Sequence, residues 1–320
     1  MMAIILQIIL LVIGFVLLAK GADIFVDGAV GIAKRLGLSE LVIGLTIVAM
    51  GTSAPEAAVC IASAAKGNAD IAIGNVFGSN ILNICIVLGV TAVIAVLAGQ
   101  KEAIRRDLPI MLAVTVVFLL LGLDGKIGRA DGIIFLVIFV AYLVFLMRSA
   151  QKEHAAMTQE EQAAEKGKEP VRREVKLPRS ILMAAIGLVM IIFGSQFAVD
   201  AATEIALFAG VSERFVGLTI VALGTSLPEL FICVMAARKG STDIAIGNIV
   251  GSNLFNLLFV AGLSATIVPI NFAASFRVDA AFAIAAAVIL FLFAGFRKKV
   301  GRGAGIVFLA VYAVYFIQLL

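Results

Sequence analysis

The stretch Gly44-Leu-Thr-Ile-Val-Ala-Met-Gly-Thr-Ser-Ala-Pro-Glu56 returns later in the chain as Gly217-Leu-Thr-Ile-Val-Ala-Leu-Gly-Thr-Ser-Leu-Pro-Glu229, shifted by 173 positions. Over the 40 positions that begin at Gly44, 25 residues are identical to their counterparts, without a gap. The matching residues include polar, helix-breaking and acidic ones in an otherwise apolar chain, which is where a membrane protein keeps an ion site. The duplication therefore predicts both the architecture and the position of the functional residues.

The composition is that of a membrane protein with several spans. Apolar residues make up 62% of the chain, mean hydropathy is +1.13 and only 14% of residues are charged, against roughly 25% in a soluble domain. Apolar stretches near the length of about 20 residues that a spanning helix needs predict an all-α membrane protein with ten transmembrane helices. They are residues 3–19, 41–63, 71–98, 108–123, 131–147, 180–202, 215–237, 244–269, 279–296 and 303–320. The short alternating segments of a transmembrane barrel are absent.

The duplication extends over the whole chain. Further pairs at the same shift are Gly14 with Gly187, Asp27 with Asp200, and Gly128 with Gly301. These pairs predict one five-span repeat over residues 1–147, a hydrophilic linker over 148–179 and a second five-span repeat over 180–320. Because five is odd, the second copy enters the membrane from the opposite side, which makes the pair an inverted repeat.

The basic residues predict the orientation of the chain. Eleven lie in short connections on the side of the linker: Lys34, Arg35, Lys101, Arg105, Arg106, Arg238, Lys239, Arg297, Lys298, Lys299 and Arg302. Five lie on the other side: Lys66, Lys126, Arg129, Arg214 and Arg277. By the positive-inside rule, the linker is cytoplasmic and both termini are outside, in a multi-pass protein of the cell membrane. The net charge of +4 is thereby explained by topology, and no nucleic acid or obligate protein partner is expected.

The repeated Gly-Thr-Ser-x-Pro-Glu motif predicts a polar break inside a span. Proline cannot donate a backbone hydrogen bond and clashes with the preceding turn, so the helix bends and frees carbonyl oxygens. Such backbone is tolerated at membrane depth only where protein or a polar cavity satisfies it. Hydroxyls and one carboxylate lie at each bend: Thr52, Ser53 and Glu56 in the first copy, and Thr225, Ser226 and Glu229 in the second.

A second repeated block adds further oxygen ligands. Ser79 and Asn83 are four residues apart and share one helix face, as do Ser252 and Asn256. The glycines of this block, Gly74, Gly78, Gly247 and Gly251, predict close helix approach. Hydroxyl, amide and carboxylate oxygens are the ligands of hard cations such as calcium, and the absence of His and Cys from the set disfavours zinc or copper.

These motifs, in two matched copies within ten predicted spans, resemble the sodium/calcium exchanger branch of the cation/calcium antiporter superfamily, particularly its small prokaryotic members. The resemblance covers essentially the whole chain. It implies a transporter, not an enzyme, that exports calcium in exchange for sodium by alternating access and needs no cofactor. Glu56 and Glu229 would bind calcium, and Ala49 and Ala222 would add carbonyl oxygens to the hydroxyl and amide ligands.

One departure from the family pattern and several alternatives bear on this interpretation. Some relatives carry an acidic residue at the positions of Asn83 or Asn256, and an aspartate at the latter accompanies potassium use, so the two asparagines here disfavour potassium. The proton-coupled branch usually carries Gly-Asn-x-x-Glu motifs, which are not present. Proton or potassium coupling stays the runner-up. A channel and an intramembrane protease with two carboxylates are alternatives from other classes; the protease would typically need two aspartates.

Other polar residues have simpler interpretations. Asp27 and Asp200, near the ends of predicted spans, indicate helix-end solvation or capping, with a role in ion access as the alternative. Asn80 and Asn253 are predicted to form hydrogen bonds between helices. Cys60, Cys85 and Cys233 show no metal-binding spacing and are predicted to pack as apolar side chains.

Overall fold

The fold of this protein, taken from a computed structural model, is described for residues 2–67, 69–98, 101–164, 176–212, 216, 219–220, 222–297 and 299–319. Helices in these ranges are α1 (Met2–Leu36), α2 (Glu40–Ile43), α3 (Ala49–Thr52), α4 (Ala54–Ala65), α5 (Ala69–Leu82), α6 (Gly89–Ile94), α7 (Leu108–Leu121), α8 (Arg129–Ala164), α9 (Leu177–Phe208), α10 (Ala222–Thr225), α11 (Leu227–Arg238), α12 (Thr242–Phe255), α13 (Ala261–Ile267), α14 (Ala274–Arg297) and α15 (Arg302–Leu319). Wider π-helical turns connect several of them, at Gly44–Val48, Asn83–Leu88, Ala103–Asp107 and Asn256–Val260.

Eight helical stretches of the described chain are long and apolar enough to cross a membrane. They are Ile4–Leu36, Ile71–Ile94, Ala103–Asp124, Arg129–Lys152, Leu177–Phe208, Thr242–Ile267, Ala274–Phe296 and Arg302–Leu319. A ninth span is the bent pair Glu40–Thr52 and Ala54–Ala65. The tenth predicted span, residues 215–237, begins among residues outside the described ranges, and its described part is mainly α10 and α11. The count of ten spans therefore stays a prediction.

Helices α1 and α9, which are repeat counterparts, pack against each other in antiparallel orientation through small residues. A Cβ atom placed on Gly14 would lie 2.8 Å from the carbonyl oxygen of Gly194, and one on Gly28 would lie 2.8 Å from that of Ser180. As residue numbers rise along α1, the facing numbers fall along α9. Without side chains at these positions the two backbones come close together. This relative direction is the one that an inverted repeat requires.

Two short antiparallel ladders join the repeats and qualify the all-helical prediction. Strand β1 (Leu97–Ala98) pairs with β4 (Lys299–Val300), and β2 (Lys126–Ile127) pairs with β3 (Ile270–Asn271). Each ladder connects a loop of one repeat to a loop of the other. They are only two residues long, so the polar backbone of these loops is paired locally without forming a sheet of any size.

The centre of the bundle is occupied by α12. All twelve residues from Ile244 to Phe255 are buried. Such a helix contacts protein on every side, so its polar residues, including Asn248 and Ser252, are buried within the protein.

The ends of the helices differ from the predicted ends of the spans. Helix α1 continues to Leu36 and α9 to Phe208, so Asp27 and Asp200 lie within helices and the prediction of capping is wrong, although both side chains are exposed. Both helices are longer than the thickness of a bilayer, because they continue beyond the apolar run that defined each span. Helix α8 continues to Ala164, which makes the first part of the predicted linker helical; residues 165–175 of the linker lie outside the described ranges.

Candidate cation-binding site

The two Gly-Thr-Ser-x-Pro-Glu motifs form breaks between helices, as predicted. The chain bends by 51° between the helical stretch that ends at Thr52 and the one that begins at Ala54. In the second copy, Ser226 separates α10 from α11. Each proline lies in the first two positions of the helix that follows, where its missing N–H costs no intrahelical bond. Each glutamate, Glu56 or Glu229, consequently lies in a first helical turn, where the helix dipole favours a negative charge.

Both glutamates are buried and each has one oxygen without a partner. The side chain of Glu56 is 2% exposed and that of Glu229 is 0% exposed. Ser79 Oγ donates to Glu56 Oε1 at 2.9 Å, and Ser53 Oγ donates to Glu229 Oε1 at 2.9 Å. The second bond crosses from one repeat to the other, so the two breaks are adjacent. Oε2 of each glutamate has no hydrogen-bond partner among the described residues, although the side chains of Thr225 and Asn256 approach the Glu56 carboxylate and that of Thr52 approaches Glu229.

Two asparagines also each have a buried oxygen without a hydrogen-bond partner among the described residues. Asn83 and Asn256 each begin a π-helical turn and are buried. The amide nitrogen of Asn83 donates to Asn253 Oδ1 at 3.1 Å, and that of Asn256 donates to Asn80 Oδ1 at 3.2 Å. The oxygen atoms Oδ1 of Asn83 and Asn256 are buried and have no partner in the described part of the chain. The predicted bonds of Asn80 and Asn253 between helices are thus confirmed.

The remaining predicted ligands differ in burial between the two repeats. Thr52 Oγ1 and Ser252 Oγ both donate to the carbonyl of Ala49, at 3.2 and 3.5 Å. Thr225 Oγ1 donates to the carbonyl of Ala222 at 3.0 Å, and these two residues are only half-buried, whereas Thr52 and Ala49 are buried. Ser226 is buried, and its Oγ has no described partner.

A pair of asparagines that was not among the predicted site residues lies beside the site. Asn248 Oδ1 lies 3.2 Å from Thr52 Oγ1 and shares the one hydroxyl proton of Thr52 with the Ala49 carbonyl, while Asn248 Nδ2 donates to Cys233 Sγ at 3.3 Å. Its counterpart Asn75 donates to Cys60 Sγ at 3.1 Å. Because both cysteine sulfurs take part in hydrogen bonds, the prediction of purely apolar packing is wrong for Cys60 and Cys233. The signal was present, since both asparagines belong to the repeated block.

The close helix approach predicted for four glycines occurs in only one repeat. A Cβ atom on Gly251 would lie 2.6 Å from the carbonyl oxygen of Leu45 and 2.7 Å from Cβ of Ala49. A Cβ atom on Gly247 would lie 2.8 Å from the carbonyl oxygen of Leu41. At the counterpart Gly78, no described atom lies within 4 Å of such a Cβ, so the prediction is wrong there. The two copies of one motif therefore adopt different packing.

The chemistry of the assembled group is that of a hard cation site. Five buried oxygens without described partners belong to it: Oε2 of Glu56 and Glu229, Oδ1 of Asn83 and Asn256, and Oγ of Ser226. Buried carboxylate and amide oxygens without donors are costly unless a cation satisfies them. Among the described residues no group of three or more His, Cys, Asp or Glu is placed to hold a metal, so any charge from carboxylates comes from the two glutamates.

A buried group of oxygen ligands between the repeats of a duplicated helical membrane protein is typical of the class of cation transporters. The model of the family described as "Sodium/calcium exchanger protein" matches residues 6–148 and, separately, residues 179–320. The chain therefore belongs to the sodium/calcium exchanger family, and each repeat matches the family model on its own.

Individual relatives agree with this assignment. The chain is 38% identical to the putative antiporter CaxA of Alkalimonas amylolytica, over 96% of each chain. It is 32% identical to the sodium/calcium exchanger MaX1 of Methanosarcina acetivorans, over 97% of each chain. Among solved structures, the sodium-calcium exchanger NCX_Mj superimposes with a TM-score of 0.85 and 30% identity, covering 99% of this chain and 100% of that one. These relatives are exchangers and antiporters, which indicates a transporter and not an enzyme.

Proposed function

We propose that this protein is a secondary active antiporter that exports calcium in exchange for sodium by alternating access. The observation that carries the proposal is the set of buried oxygens without partners between the two repeats, which includes one oxygen of each glutamate. Oxygen donors of this kind suit calcium, which takes 6–8 of them in flexible geometry. The proposed ligands are Ala49, Thr52, Ser53, Glu56, Ser79, Asn83, Ala222, Thr225, Ser226, Glu229, Ser252 and Asn256.

The charge of the site gives a reason for obligatory exchange. With Glu56 and Glu229 ionised, the empty site carries two negative charges at membrane depth, where unpaired charge is costly. One calcium ion neutralises the site, as do two sodium ions, and a third sodium ion would leave it at +1. Loaded forms cross the occluded conformation more easily than the empty one, so calcium movement in one direction is coupled to sodium movement in the other.

The unequal packing of the two repeats supports alternating access. In an inverted repeat, the two halves can exchange conformations, and access then moves from one side of the membrane to the other. Gly251 is closely packed against Leu45 and Ala49, whereas its counterpart Gly78 has open space among the described residues. Thr225 and Ala222 are correspondingly more exposed than Thr52 and Ala49. In this proposal, ions reach the site through the half near Thr225 in this conformation.

Calcium uptake into proteoliposomes tests the proposal. Vesicles containing the purified protein are loaded with sodium, potassium or neither, and calcium uptake is followed after dilution into each external solution or after an imposed proton gradient. We expect uptake only with an outward sodium gradient. Uptake that depends on the potassium or proton gradient instead would assign the protein to the runner-up coupling, and calcium flux without any counter-ion would indicate a channel.

A further inference from the structure

Four asparagines form two crossed chains of hydrogen bonds where the repeats meet. The amide nitrogen of Asn80 donates to the backbone carbonyl of Asn253 at 3.2 Å, and that of Asn253 donates to the backbone carbonyl of Asn80 at 3.3 Å. The side-chain oxygens of the same two residues accept from Asn256 and Asn83, respectively. All four side chains are at most 2% exposed, so water does not compete for these bonds.

The backbone carbonyls fix the direction of both chains. A carbonyl oxygen only accepts hydrogen bonds, so the amide nitrogen of Asn253 must face the carbonyl of Asn80. The oxygen Oδ1 of Asn253 then faces the other way and can bond only a donor, which is Nδ2 of Asn83. Oδ1 of Asn83 is consequently left free. The same reasoning from the carbonyl of Asn253 through Asn80 leaves Oδ1 of Asn256 free.

We propose that Asn80 and Asn253 are positioning residues that direct the side-chain oxygens of Asn256 and Asn83 toward the transported cation. The inference rests on the proposed cation site, and it adds two residues that do not themselves bind the ion. An amide rotated by 180° would present its two N–H groups to the site, and a donor group repels a cation. Each positioning residue lies in one repeat and orients an amide in the other, so both repeats are needed to build the site.

A double-mutant cycle tests this assignment, because Asn80 orients only Asn256 and Asn253 orients only Asn83. We expect Asn80→Ala to weaken calcium binding by about tenfold, the order of one buried hydrogen bond that orients a ligand. In the Asn256→Ala background the same substitution should cost less than about twofold, since the amide that Asn80 orients is gone. In the Asn83→Ala background it should still cost about tenfold. Asn253→Ala should cost less than about twofold in the Asn83→Ala background and about tenfold in the Asn256→Ala background.

Binding is measured as the shift in thermal unfolding temperature of the detergent-solubilised protein titrated with calcium chloride and, separately, with sodium chloride. A general loss of packing between α5 and α12 would lower the cation-free unfolding temperature equally in all backgrounds and produce equal losses of affinity. Equal losses in the Asn256→Ala and Asn83→Ala backgrounds would overturn the positioning role. Should Asn80→Ala not insert, Asn80→Ser takes its place, because it also removes the amide oxygen that accepts from Asn256, and the same pattern is expected.

The proposed cation site and the positioning role of Asn80 and Asn253 can be refuted separately. A wild-type protein whose unfolding temperature responds to neither calcium nor sodium would remove the proposed cation site and the positioning role together. A wild-type protein that binds either ion, combined with an additive cycle, would remove only the positioning role.

Discussion

Lys239 Nζ lies 2.5 Å from Oδ1 of Asp27 and joins the end of α11 to α1. The same ammonium group lies 2.7 Å from Oδ1 of Asp23. Partial burial acts to lower the pKa of Lys239, but its hydrogen bonds to Asp23 and Asp27 outweigh this effect and raise the pKa above its ordinary value. The repeat counterparts of the pair, Lys66 and Asp200, are exposed and form no ion pair within the described residues. The ion pair is thus a further difference between the two copies.

Loss of this ion pair should loosen one end of the bundle, the end that the positive-inside rule predicts to be cytoplasmic. The three side chains are 26–52% exposed, and a pair of this exposure stabilises by about 0.2–1 kcal/mol. Lys239→Gln should therefore shift the conformational equilibrium by up to about fivefold. Distances between spin labels introduced at the exposed positions Arg35 and Arg238 should show a larger fraction of separated helices.

The matched control for Lys239→Gln is Lys66→Gln in the other repeat. Lys66 has no ion-pair partner among the described residues, so its loss should leave the distance distribution between the two labels unchanged. Native Cys60, Cys85 and Cys233 are buried, and labelling is directed to the introduced positions. Equal distributions in wild type and Lys239→Gln would show that the ion pair does not stabilise this end.

The repeated motif predicted the position of the site but not the difference between its two halves. Proline and glycine chemistry placed the break before Glu56 and before Glu229, and the structure has both. The difference between Gly251 and Gly78 could not be predicted, because nearly the same block of sequence folds into two kinds of packing within one chain. Sequence periodicity reports which residues face the interior, whereas the packing of each repeat depends on the other. The hydrogen bonds from asparagine amides to Cys60 and Cys233 could not be predicted for a related reason. A cysteine that packs as an apolar side chain and one that accepts a hydrogen bond occur in the same sequence pattern.

Glu56→Gln and Glu229→Gln should each nearly abolish sodium-driven calcium uptake. An amide loses the formal charge of the carboxylate and half of its acceptor oxygens, and loss of a buried charge from a paired site costs about 2–5 kcal/mol. A reduction of roughly 30-fold or more in uptake is expected. Glu204→Gln, an exposed position on α9, is the control and should retain uptake. Near-normal exchange in both site variants, with insertion verified, would remove the glutamates from the site.

Gly251→Ala and Gly78→Ala should differ although the two glycines are repeat counterparts. A methyl group on Gly251 would meet the carbonyl of Leu45 at 2.6 Å, and overpacking of this kind costs about 1–3 kcal/mol. We expect a lower unfolding temperature for Gly251→Ala. Gly78 has open space among the described residues, so Gly78→Ala should unfold like wild type.

If the repeats exchange packing during transport, Gly78→Ala should nevertheless slow calcium uptake, because its methyl group would clash in the other conformation. Normal unfolding together with normal uptake for Gly78→Ala would contradict such an exchange.

Sodium-driven calcium flux should depend on membrane potential if three sodium ions exchange for one calcium ion. Two ionised glutamates supply a charge of −2, so calcium leaves the site neutral, whereas three sodium ions leave it at +1. Each cycle then moves one net charge, and a potential of about 100 mV contributes about 2.3 kcal/mol per charge. An inside-negative potential should favour sodium entry and calcium exit. The measurement is calcium flux in vesicles whose potential is clamped with a potassium ionophore at fixed sodium gradient. Flux that is independent of the potential would indicate electroneutral exchange of two sodium ions for one calcium ion, because two carboxylates satisfy that ratio as well.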